Sequence, residues 1–126
     1  MIDMELENFI RKLEEIAQKN DYRLDSALNI IKSTYNQSQE NEVVFSIICS
    51  YVIFQGILQK KFIFLRELYN LLSEIDFLHK IEKSNSFRVH YIDCKEGKKY
   101  KSFINLNRYI DFLEELENNG FEYSVC

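Results

Sequence analysis

His79 and His90 are the only imidazoles in the chain, and Cys49, Cys94 and Cys126 the only thiols. The closest cluster of such groups is the string His90-Tyr91-Ile92-Asp93-Cys94. A thiol activated by an imidazole needs the two within hydrogen-bond reach. Side chains alternate in direction along a strand, so His90 and Ile92 share one face and Asp93 takes the other. Adjacency alone therefore does not assemble a Cys–His pair. Cys94 does lie among Lys95, Lys98, Lys99 and Lys101, and nearby cations favour a reactive thiolate. The plainer alternative is an inert cysteine at a strand end. The carboxylate pairs Glu14-Glu15 and Glu114-Glu115 sit on helical stretches, where adjacent side chains diverge by about 100° and do not converge as an acid and a base. No phosphate-loop, dinucleotide, zincin or nucleophile-elbow string occurs, and the cysteines lack the paired spacing of zinc sites. A non-enzymatic protein is expected, with no catalytic residue, no cofactor and no metal, its cysteines reduced.

Charge is more informative. The net charge is −4, but residues 80–101 hold seven basic groups against three acidic ones, a basic island of +4. Residues 102–126 hold Arg108 against five carboxylates, Asp111, Glu114 and Glu115 among them. Two partner-binding surfaces follow as expectations. One is a basic hairpin carrying Arg88, Lys95, Lys98, Lys99 and Lys101; the other is an acidic helix carrying Asp111, Glu114 and Glu115. A basic patch suits phosphate or an acidic protein surface, although lysines at a hairpin also simply discourage edge pairing. Acidic helices could imitate a nucleic-acid backbone, or merely keep the protein soluble.

The elements that must position these residues can be read from periodicity. Leu6, Phe9, Ile10, Leu13, Ile16 and Ala17 form one helical stripe, with Asp3 as N-cap and Asn20-Asp21 as the stop. A second helix carries Leu24, Ala27, Leu28, Ile31 and Tyr35. The polar run 36–42 reads as a loop, with Ser38 or Asn41 capping the next helix. Residues 43–58 suit a buried strand by content, but their length favours a central helix, apolar nearly all round and surrounded by the others. Ser46 and Ser50 would give a neighbouring helix room to approach. Past a turn at Lys60-Lys61, a helix carries Leu65, Leu68, Leu72 and Ile75. The period then changes to two: Phe87, Val89 and Tyr91 mark a strand, Gly97 a hairpin loop, and residues 100–104 the returning strand. Tyr91 and Tyr100 flank that loop and are expected in the core. Asn105 or Asn107 caps a helix on Leu106, Ile110, Leu113 and Leu116, Gly120 ends it, and Phe121, Tyr123 and Val125 mark a last strand.

The expected fold is α+β in a single domain, 1–126. A bundle of about four helices (1–82) packs with a C-terminal β-β-α-β unit (83–126) whose three-stranded antiparallel sheet has order 2-1-3. The start of the chain is acidic and lacks a signal peptide's apolar core, and the longest apolar stretch, Val43 to Leu58, falls short of a membrane span. A cytoplasmic protein is expected, with no membrane partner. A winged-helix DNA binder is a minority reading, because the helix that would enter the groove is apolar or acidic.

The chain has 10 Phe and 8 Tyr, no Trp and no Pro, and it is rich in Ile, Asn and Lys, whose codons are AT-rich. A small, acidic, aromatic-rich, motif-free chain of this bias is similar in type to accessory proteins encoded by phages and mobile elements. Inhibitors of bacterial defence systems (anti-CRISPR-like proteins among them) and toxin-immunity factors share that look. The resemblance implies an interaction protein that binds a protein or ribonucleoprotein partner. Nucleic-acid binding through the basic hairpin is the alternative, and a homodimer that completes the burial of residues 43–58 is open.

Overall fold

Helix α1, Leu6–Lys19, forms where the sequence places its stripe: Phe9, Ile10, Leu13 and Ala17 are buried. It ends because Asp21 turns left-handed (φ 54°). The Tyr22 N–H then donates back to the Ala17 carbonyl at 2.8 Å and the Asp21 N–H to Gln18 at 3.1 Å, a Schellman closure. The computed structural model describes residues 6–22, 24 and 41–125. The Asp3 and Ser38 caps and the helix expected on Leu24–Tyr35 lie outside the described residues.

Residues 43–58 are helical. Helix α2 spans Asn41–Leu58, so Asn41 and Glu42 belong to the helix and not to the preceding loop. Its buried positions recur in pairs every four residues (Val44 and Phe45, Ile48 and Cys49, Val52 and Ile53). That is a helical repeat hidden from residue type, because the other side is apolar too. The helix is not surrounded: Val43, Phe54 and Leu58 are exposed. A neighbouring helix approaches closely at Gly56. A Cβ on Gly56 would lie 2.8 Å from Leu65 Cδ2.

Helix α3, Phe62–Glu74, packs against α1 and α2. The helix is ended by Asp76, which turns left-handed (φ 57°), and the Phe77 N–H bonds the Leu72 carbonyl at 2.9 Å. Helix α4, Leu78–Ser84, follows. The expected turn at Lys60-Lys61 is present, closed by the same left-handed device. An aromatic column binds the bundle: Phe9 meets Phe45 with ring centroids 4.7 Å apart, Phe45 meets Phe77 at 5.9 Å, and Tyr22 meets Phe64 at 4.7 Å. Such edge and tilted contacts add to the area buried. Lys80 joins α4 to Glu42 at 2.6 Å.

The chain divides into two compact units, Met1–Ile81 and Glu82–Cys126. In the second, β1 (Phe87–Asp93), β2 (Gly97–Phe103), α5 (Leu106–Asn118) and β3 (Tyr123–Val125) form a helix layered on an antiparallel sheet of order β2-β1-β3. The return strand starts at Gly97, three residues earlier than its pattern suggests, because Asp93 Oδ1 accepts the Lys95 N–H (2.8 Å) and closes the turn within Cys94–Glu96. Gly97 adopts the expected positive φ, 84°. The α5 stripe is Leu106, Ile110, Leu113 and Leu116, joined by buried Tyr109, whose hydroxyl donates to the Arg88 carbonyl at 2.6 Å. Asn105 occupies the N-cap position without a capping bond from its side chain. The Leu106 N–H donates instead to Glu82 Oε2 at 2.8 Å, a carboxylate at the positive end of the helix. No helix among the described residues is long and apolar enough to cross a membrane.

Candidate interaction surface

The register of the sheet decides which residues can act together. Phe87↔Phe103, Val89↔Lys101 and Tyr91↔Lys99 lie on the face that α5 covers, whereas Arg88↔Ser102, His90↔Tyr100 and Ile92↔Lys98 lie on the other. In β3, Ser124 sits opposite His90 and so joins that second face. On the covered face Tyr91 packs on Phe112 (5.3 Å) and Phe87 stacks on Tyr109 (5.3 Å). The second face is exposed throughout: Arg88, His90, Ile92, Lys98, Tyr100, Ser102 and Ser124 all reach solvent.

The five cations expected to act as one basic hairpin are thereby split. Arg88 and Lys98 share the exposed face, Arg88 Nε donating to Ser86 Oγ at 2.9 Å. Lys95 is at the exposed tip. Lys99 is tied to Glu96 in an ion pair, and its hydrogen bond to that carboxylate raises the ammonium pKa. Lys101 spans the rings of α5 and β2, its Nζ 4.7 Å from the Phe112 centroid and 5.4 Å from Phe103. The acidic candidates lie on α5, the layer behind the sheet, where Asp111 and Glu115 are exposed and Glu114 is half-buried. Basic strand face and acidic helix therefore look in opposite directions.

What residue types alone did not single out is the apolar content of the exposed face. Ile92 is 43% exposed, Tyr100 54% and Ile104, just past β2, 82%. Tyr91 is half-buried on the core side as expected, whereas Tyr100 is not in the core, because even-numbered positions of β2 point away from α5. Its ring lies 4.9 Å from that of His90 across the strands. The period-two alternation that grouped Arg88, His90 and Ile92 was the available signal; Tyr100 joins them only through the register. Beside them runs an open groove of about 430 Å³ whose lining includes His90, Ile92, Lys98, Glu122 and Ser124.

Cys94 is exposed in the turn, and the Asp93 carboxylate is engaged by turn N–H groups. Cys49 is fully buried, and that burial pushes its thiol pKa well up. Among the described residues no three His, Cys, Asp or Glu side chains gather as metal ligands would. Compared with protein-family models, with curated proteins and with solved structures, the chain matches none.

Proposed function

We propose that this protein works by binding a macromolecular partner, in the first instance a protein, through the exposed face of its three-stranded sheet. The observation that carries this reading is the exposure of Ile92 and Tyr100 on the face that also presents Arg88 and Lys98, with Ile104 exposed just past the end of β2. Tyr and Arg are enriched at the desolvated centres of protein interfaces, and an exposed apolar patch edged by charge is how such sites present themselves. A sheet holds these side chains in fixed positions, so little ordering entropy is lost on binding. The cations suit a partner surface bearing carboxylates. An inhibitor of a defence complex, or an immunity factor against a toxin, acting in the cytoplasm, would work in this way without catalysis.

The test begins with capture of the native partner by the full chain and measurement of its affinity. Tyr100→Ala and Lys98→Glu are then compared with Lys83→Glu, which lies off this face. Tyr100→Ala should weaken binding by about 30-fold, the loss expected of an interface anchor worth about 2 kcal/mol. Unchanged affinity in both Tyr100→Ala and Lys98→Glu would eliminate this face.

A second reading rests on the His90–Tyr100 ring pair flanked by Arg88 and Lys98, an arrangement on which single-stranded nucleic acid can stack. It requires binding that weakens steeply with salt. Absence of any shift with mixed DNA and RNA at low salt removes it, and the chain's net charge of −4 already weighs against it.

A further inference from the structure

The exposed side of α2 carries no charge. Between Val43 and Leu58 there is no Asp, Glu, Lys or Arg. The side away from the buried positions holds Val43, Ile47, Ser50, Phe54 and Leu58, at intervals of four, three, four and four, one straight helical stripe. Leu58 is 61% exposed and Phe54 39%, Val43 is exposed, and Ile47 and Ser50 are half-buried. The solvent side of a helix ordinarily carries polar and charged residues, and a continuous apolar stripe in their place marks a surface that is covered in use.

We infer that the occupant is a second copy of this chain, with α2 packed antiparallel on α2 about a two-fold axis between Ser50 and Tyr51. The order of side chains along the stripe supports that occupant. The β-branched Val43 and Ile47 precede Ser50, and the longer Phe54 and Leu58 follow it. An antiparallel pair sets Val43 against the second copy's Leu58 and Ile47 against its Phe54, so each contact joins a compact side chain to a long one. The small Ser50 at the crossing lets the helices approach closely. A parallel pair would instead set Phe54 on Phe54 and Leu58 on Leu58, long against long. The same patch serves both copies, as an isologous interface requires. In such a pair the two helix dipoles oppose. This interface lies in the helical unit and does not depend on the sheet-face reading.

Light scattering on the full chain over a range of concentrations tests the inference. The expected mass is twice the 15.2 kDa of one chain, falling to one chain in the double variant Phe54→Glu/Leu58→Glu with its helical circular dichroism intact. A second measurement does not rely on that variant folding. Ser50→Cys, in a background of Cys49→Ala, Cys94→Ser and Cys126→Ser, should be joined between chains by mild oxidation or by a short bis-maleimide linker. Ile63→Cys, exposed but off the axis, should not. A monomer at every concentration, a dimer that survives Phe54→Glu/Leu58→Glu, or equal cross-linking at positions 50 and 63 would each overturn it.

Discussion

Gly56→Ala opposes two effects of similar size, and the structure decides between them. In an exposed helix interior this change gains about 1 kcal/mol, because alanine has the better helix propensity. Gly56, however, faces α3, and the added methyl would stand 2.8 Å from Leu65 Cδ2 and 3.2 Å from Leu65 Cγ. Leu65 is buried, as is Phe64 beside it, whose Cδ2 would lie 3.6 Å away. The leucine cannot swing into solvent, so the helices must separate or Leu65 must leave its rotamer. Overpacking of this kind costs about 1–3 kcal/mol. The expected net result is a loss of about 1 kcal/mol, read from urea unfolding followed by far-UV circular dichroism. The decisive comparison is a double-mutant cycle. Leu65→Ala alone should cost about 2–5 kcal/mol, but in its background Gly56→Ala should stabilise by about 1 kcal/mol, since only the propensity gain remains. That gives a coupling of about 2 kcal/mol between the two positions. If Gly56→Ala stabilises the unmodified chain, or has the same effect in both backgrounds, the close approach of α2 and α3 is refuted.

Lys60 holds φ at 59°, a conformation that costs a non-glycine residue about 1 kcal/mol. Lys60→Gly should therefore raise stability by about that amount, with the urea midpoint as readout. The Glu42 carboxyl pKa is lowered, first by its hydrogen bond to Lys80. The pair's contribution is thus present above the carboxylate's ordinary value of 4.5 and is lost as pH falls through the lowered one. Lys80→Ala should accordingly lower the melting temperature at neutral pH, and the gap should close in acid. In a Cys126→Ser variant, a thiol reagent should modify exposed Cys94 at once and buried Cys49 only on unfolding; counting the thiols that react before and after denaturant checks this.

Much of the fold is legible because local patterning and tertiary packing agree. The stripe of α1, the stripe of α5, the period-two strands and the positive φ of Gly97 and Gly120 all answer to short-range chemistry. The 2-1-3 sheet order followed from chirality and chain economy. Two features were not legible, each for its own reason. Asp76 separates α3 from α4 although aspartate is no strong terminator; Phe77, whose burial requires the turn, decides it. The cap of α5 comes from Glu82, 24 residues earlier in sequence, where no capping pattern would look for it.

The candidate surface divides along the same line. The amino-acid sequence determined that cations concentrate in residues 80–101 and carboxylates after them, that strands follow helices, and that no familiar catalytic string is present. It could not say which lysines act together. Register and the placement of α5 decided that: alternation sends Arg88, His90, Ile92, Lys98 and Tyr100 outward, and turns Lys99 and Lys101 back toward Glu96 and the aromatic rings. Charge is a property of residues, but a surface is a property of pairing. A shift of one residue in that pairing would have exchanged the two sets.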